Sequence, residues 1–238
     1  MYKERFYRKN ISSKFKLEVS YRESDLLILT DKKVSYEIAQ EILSGYYSQI
    51  EEYAKKNPDF KNSLSPVAFD EFAPLIVKRM IESSQITKTG PFASVAGAIA
   101  FYVGKALLDF CEEVVVENGG DIFLKINTPK LLGVYLGEGF NPKHLTLKLK
   151  EKEYAFGVAS SSSVIGHSLN FGKSDLLTVV CQDAILADGF ATALSNKIKS
   201  SQDAEVLIQE IKKLNLVEGI LIAIDNKIYL WGNLEIDG

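Results

Sequence analysis

Cysteine is nearly absent from this chain. Its 238 residues hold two, Cys111 and Cys181, too few for a disulfide framework and without the C-x-x-C spacing of a zinc site. A reducing compartment is the default. One-sided charge is missing as well: 28 Lys and Arg against 31 Asp and Glu leave a net charge of −3 and a pI near 5.6. That balance argues against a binder of nucleic-acid backbones. The longest weakly polar run, Pro91 to Gly104, stops at Lys105, short of the roughly 20 residues a bilayer requires. The opening MYKERFYRKN lacks the apolar stretch of a secretory signal. A cytoplasmic protein without nucleic-acid or membrane partners is expected. No G-x-S-x-G elbow and no G-x-x-x-x-G-K-[ST] P-loop occurs, so serine hydrolases and P-loop enzymes lack their signatures here.

What is present is ordinary globular material, 46% hydrophobic and 25% charged with a mean hydropathy of +0.01. The length suits one large domain or two tightly joined halves, about 1–130 and 131–238. Basic residues gather in the first 17 positions, interleaved with aromatics. They suit either an RNA-binding end or an edge strand protected by lysines.

KFKLEVSY and DLLILT read as strands, and apolar residues at helical spacing from Ser35 to about Lys56 predict an amphipathic helix ended by Asn57-Pro58. A second helix is expected from about Phe69 to Ser83 and a third, buried one after Gly90, where Pro91 suits the first turn. The texture then turns to β: EVVVENGGDIFLKI, KLLGVYLGEG, LTLKLK, YAFGVAS and DLLTVVCQ. Helices from about Ala184 to Ile198 and Asp203 to Leu214 follow, and GILIAID with KIYLWG closes the chain as a hairpin around Asp225-Asn226. Strand runs adjoin strand runs, which predicts an α+β fold with antiparallel or mixed sheets.

Four segments could carry chemistry. Asn118-Gly119-Gly120-Asp121 allows positive φ and close approach of a ligand to the backbone, and is equally the composition of a plain hairpin turn. In QDAILADGFATALSN, Asp183 is an expected N-cap, and Asp188, Thr192 and Ser195 share one helix face. Asp188 and Thr192 offer two hard oxygens to a Mg²⁺ that keeps water and phosphate ligands, unless the face is a solvated polar stripe. GVASSSSVIGHSLNFGK brings Ser160, Ser161, Ser162 and Ser163 for phosphate or flavin oxygens and His167 as a general base, or is a flexible surface loop. TKTGPFASVAGAIA puts free N–H groups near Lys88, a generic anion site, while its small residues predict close helix packing.

Taken in order, GPFASVAGAIA, VENGGDIFLK, GVASSSSVIGHSLNFGKSD and LADGFATALSN resemble the uncharacterised cytoplasmic branch of the ApbE-like superfamily, whose best-known members are FAD:protein FMN transferases. The resemblance spans roughly Lys88 to Asn196, with ENGGD and ADGFATAL its most specific pieces. It implies a duplicated α+β fold holding a flavin nucleotide, FAD or FMN, between its halves. It assigns Mg²⁺ to Asp188 and Thr192, the nucleotide to the Gly119-Gly120-Asp121 turn, and activation of an acceptor protein to His167. A second copy of the chain is a further candidate partner. Two departures accompany the matches. The K-G-x-x-x-D-like segment of the transferases reads AGAIAFYVGKALLD, so Lys105 and Asp109 receive no role, and the stretch after the histidine is shortened to GHSLNFGKSD. The functional expectation is therefore a flavin-binding protein with Mg-dependent transfer or FAD hydrolysis, the alternative being a non-catalytic binding or assembly protein that keeps the fold.

Overall fold

The computed structural model describes residues 13–162 and 172–237. Its strands are β1 (Phe15–Tyr21), β2 (Ser24–Thr30), β3 (Val114–Asn118), β4 (Asp121–Lys125), β5 (Lys130–Tyr135), β6 (His144–Leu149), β7 (Phe156–Ser161), β8 (Leu176–Cys181), β9 (Val217–Ile224), β10 (Lys227–Gly232) and β11 (Glu235–Ile236). Its helices are α1 (Tyr36–Lys56), α2 (Pro58–Asn62), α3 (Leu75–Thr87), α4 (Val95–Leu107), α5 (Ala184–Lys197) and α6 (Ser201–Ile211), with a 3₁₀ turn at Pro91–Ser94 leading into α4.

Local chemistry sets most boundaries. The Ser35 hydroxyl accepts the Ile38 N–H and starts α1, and the Asp183 carboxylate accepts the Leu186 N–H at 2.8 Å and starts α5. Ser200 and Asp203 form a reciprocal capping box on α6. The second predicted helix is displaced, starting at Leu75 rather than Phe69. Pro74 pushes the residue before it out of helical geometry, and the Asp70 carboxylate holds the Phe72 N–H and the Tyr53 hydroxyl, each at 2.8 Å, which keeps 69–73 in a turn. Helix α2 was not anticipated, although Pro58 at its first position is a favourable start.

Eight strands form one sheet in the order β1-β2-β3-β4-β7-β8-β9-β10, and β11-β6-β5 form a smaller second sheet. Every pairing among the described residues is antiparallel, so the α+β expectation holds. The order of elements repeats: two strands, a helical excursion and two strands make β1 to β4, and again β7 to β10, with the β5–β6 hairpin between them. Period-two alternation splits the large sheet into faces. One face packs on the helices through residues such as Val116, Phe123, Ala159 and Leu177. The other packs on the small sheet through Ile122, Val158, Val180 and Leu221.

Helix α4 is wedged into this core. A Cβ on Gly97 would sit 2.2 Å from the Ala184 carbonyl oxygen of α5, so only glycine permits the approach of the two helices. Among the described residues no single helix is long and apolar enough to cross a membrane. Helices α3 and α4 pass that test only as a pair bent by 104°, and apart from exposed Leu75 and Ile86 most of their apolar residues line the core.

Candidate functional site

The site builds on the first turn of α4, whose N–H groups have no partner within their own helix. Asp188, on α5, turns its carboxylate to that turn, and its Oδ2 accepts the Gly97 N–H at 2.8 Å. The side chain is 9% exposed. Burial pushes its pKa from 3.8 up to about 7, against the opposing pull of the Gly97 and Ala96 backbone groups. No lysine, arginine or histidine among the described residues forms an ion pair with it. The face shared by Asp188, Thr192 and Ser195 is therefore no solvated stripe: Ser195 is fully buried against Ser174 at 3.0 Å, and Thr192 is half-buried.

The Asn118–Asp121 hairpin reaches the same turn of α4. Asn118 pairs with Asp121 across the two glycines, whose φ values of +71° and +110° few other residues adopt. Both flanking side chains are buried, at 5% and 9% exposure, and share the helix-facing side of the sheet. Asn118 Nδ2 donates to the Ala96 carbonyl at 3.2 Å, and the Gly120 N–H donates to Glu117 Oε1 at 2.9 Å. A Cβ built on Gly120 would find one atom within 4 Å, the Ser160 carbonyl oxygen at 3.9 Å, so the turn is open on that side. Two consecutive residues, Ala96 and Gly97, thus bind the glycine turn and the Asp188 helix.

Ser160, Ser161 and Ser162 do not all point the same way. Strand alternation puts Ser161, 6% exposed, on the helix face with Ala159 and Asp121. Ser160 points to the opposite face, where its hydroxyl meets that of Thr178 at 2.9 Å, and the Ser162 hydroxyl donates to the Asp175 carbonyl at 2.6 Å. Ser163 and His167 lie outside the described residues. Lys105 and Asp109 are both exposed; Lys105 lies roughly 12 Å along the axis of α4 from Gly97, and Asp109 follows the end of the helix at Leu107.

Sequence reasoning missed a pair of buried acids on the other face of the same sheet end. Asp25 is 8% exposed and Glu117 6%. Burial, and then the Glu117 charge, hold the Asp25 carboxyl above its usual range. The available signal was an acid flanking each apolar strand, DLLILT and VVVEN. A cavity of about 300 Å³ opens elsewhere, between Thr87–Thr89, the second half of α5 and α6, and none of the sequence-predicted nucleotide or metal residues lines it. Lys88, at its mouth, is exposed and left-handed at φ +62°.

Among the described residues no three His, Cys, Asp or Glu side chains gather into a metal cage. Mg²⁺ needs no such cage, since it is commonly held by one or two carboxylates with water and phosphate completing the octahedron. Among the described residues Asp188 has no ion-pair partner, and Thr192 follows one turn along α5, a carboxylate and a hydroxyl of the kind such a site uses.

A family model described as AbpE bacteria matches residues 8–216. The chain belongs to this family. It is 37% identical to a UPF0280 protein of Archaeoglobus fulgidus, covering 92% of each chain. It is 32% identical to another from Methanocaldococcus jannaschii, covering 92% of this chain and 91% of the relative. Among solved structures, the flavinyl transferase ApbE of Pseudomonas stutzeri in its apo form matches with a TM-score of 0.62 at 10% identity, over 92% of this chain and 96% of that one. The flavin transferase ApbE of Vibrio cholerae matches with a TM-score of 0.55 at 12% identity, over 91% and 96%. At these identities the structural likeness establishes the fold. The resemblance to the ApbE-like superfamily read from the sequence agrees with both findings.

Proposed function

We propose that this AbpE family member binds a flavin nucleotide, FAD or FMN, at the sheet end where the Asn118–Asp121 turn meets the first turn of α4. The supporting observation is the convergence of both motifs on adjacent residues, Asn118 on Ala96 and Asp188 on Gly97. The open side of Gly120 lets a ligand reach the backbone. Ser161 and Asp121, on the helix face, are the nearer polar partners, with Ser160 and Ser162 contributing backbone groups.

Asp188 and Thr192 are the residues that would hold Mg²⁺, with water and nucleotide phosphate completing its shell. The ion would neutralise the diphosphate. Free of the ion, the chain orients the nucleotide through the glycine turn and keeps bulk water from Asp188, whose carboxylate takes the N–H groups of Ala96 and Gly97. His167 is the proposed base that takes a proton from the acceptor, either a hydroxyl of a protein or water. With FAD as the substrate, the acceptor oxygen bonds to the FMN phosphorus as the diphosphate bond breaks and AMP leaves; a protein hydroxyl as acceptor gives FMN transfer, and water gives hydrolysis to FMN and AMP.

A second reading, binding without transfer, draws support from Lys105 and Asp109, which stand exposed in the last turn of α4 and just past its end. The distinguishing experiment incubates the chain with FAD and Mg²⁺ and separates the products by chromatography. Release of AMP supports the enzyme; retention of intact FAD supports the binding protein; no retention of flavin in any form contradicts both.

A further inference from the structure

The large sheet ends in two edges of opposite character. Along β1 the charged Lys16 and Glu18 project from the exposed face and pair at 3.2 Å, a pattern that blocks association of one sheet edge with another. Along β10 no charge follows Lys227. Ile228 and Leu230 are 40% and 37% exposed on the face of the small sheet, and Ile236 in β11 is 44% exposed. Tyr229 and Trp231, the single tryptophan of the chain, lie half-buried on the helix face. Among the described residues β10 pairs with β9 alone. The turn at Asp225 and Asn226, with φ of +52° and +57°, sets Lys227 opposite Ile224. In a ladder closed this way, Ile228 and Leu230 turn their backbone N–H and C=O groups outward, whereas the Gly232 carbonyl already accepts the Leu234 N–H at 2.9 Å.

We infer that β10 is a dimer interface, pairing antiparallel with β10 of a second copy about a two-fold axis at Leu230. The strand is complementary to itself in this register, which is what selects a second copy as the occupant. With Leu230 opposite the partner's Leu230, Ile228 falls opposite the partner's Gly232, so a branched side chain meets a residue that has none. On the other face Tyr229 falls opposite the partner's Trp231, an aromatic pair of the kind that stabilises adjacent strands. Lys227 falls opposite the partner's Asn233, so like charges do not meet. The register pairs both backbone groups of Leu230 with those of the partner's Leu230, offers the Ile228 carbonyl the N–H of the partner's Gly232, and joins two eight-stranded sheets edge to edge. Strands β3, β4 and β7, which carry the nucleotide site, lie inside the sheet, so this inference is independent of the flavin reading.

The test uses the full chain in sedimentation velocity at micromolar concentration, with two variants. The wild type is expected to be a dimer. Leu230→Lys, at an exposed position, is expected to weaken association at least a hundredfold while circular dichroism stays unchanged. Leu230→Cys is expected to form a covalent dimer under copper phenanthroline and air, because both native cysteines are buried and directly opposed residues of a hydrogen-bonded pair have Cα atoms about 5.5 Å apart, within disulfide reach. Lys16→Cys on β1 should stay uncrosslinked. A monomeric wild type overturns the proposal. So does a dimer that survives Leu230→Lys, or a Leu230→Cys chain that does not crosslink. Should Leu230→Lys fail to fold, the cysteine variant decides alone.

Discussion

Asp188 and Gly97, ninety-one residues apart in sequence, meet in a 2.8 Å hydrogen bond between a buried carboxylate and the first turn of α4. The contact depends on the missing side chain of Gly97. A Cβ there would lie 2.8 Å from Asp188 Cβ as well as 2.2 Å from the Ala184 oxygen.

Gly97→Ala should therefore separate α4 from α5 and destabilise the chain by about 1–3 kcal/mol, the usual range for overpacking. Gly45→Ala is the matching control. Gly45 sits inside α1 with nothing within 4 Å of a built Cβ, so alanine should stabilise by about 0.5–1 kcal/mol through helix propensity. Urea melts of the three proteins read both signs.

Asp188 makes stability fall as pH rises. The folded chain keeps the carboxyl protonated up to about 7, whereas the unfolded chain releases that proton near 3.8. Between those values the folded state binds the extra proton, so raising the pH favours unfolding, with a loss on the order of 4 kcal/mol complete above the upper value. Asp25 and Asp175, also raised by burial, act in the same direction, so the informative quantity is a difference. Stability measured against pH should fall more steeply from pH 4 to 7 in the wild type than in Asp188→Asn. Parallel curves would show that Asp188 ionises normally.

Asn118 ties the glycine turn to α4, and Asn118→Ala removes its side-chain donor from the half-buried Ala96 carbonyl. A cost of about 0.5–1.5 kcal/mol is expected, together with weaker flavin retention. Gly120→Val should act differently. The space around Gly120 is open, but its φ of +110° suits glycine, so the fold should survive with moderate strain while flavin retention is lost. Melting temperature and flavin absorbance on the same samples separate the two effects.

Much of the frame is legible in the residues. Asp183 announces the start of α5, and Asn118 to Asp121 and Asp225-Asn226 announce hairpins, because caps and turns depend on neighbours in sequence. The β-rich run after residue 111 points to antiparallel sheets for the same reason. The burial of Asp188 is not legible. It rests on Gly97 permitting one helix to approach another, a contact that no local pattern encodes. The divergence of the serines is hidden for a related reason: composition groups Ser160 with Ser161, whereas the pleat sends them to opposite faces. The start of α3 is misread because apolar Phe69 and Phe72 fit a helical period. Phe72 is instead 96% exposed in a turn held by Asp70.

The central claim, a Mg-linked flavin nucleotide site at Asp188, is tested most directly by titrating FAD into the wild type and Asp188→Ala with and without Mg²⁺, following flavin fluorescence. The account predicts that Mg²⁺ tightens FAD binding to the wild type at least tenfold and leaves Asp188→Ala unaffected. Equal affinity in the wild type with and without the ion, or full Mg²⁺ dependence in the variant, would contradict it.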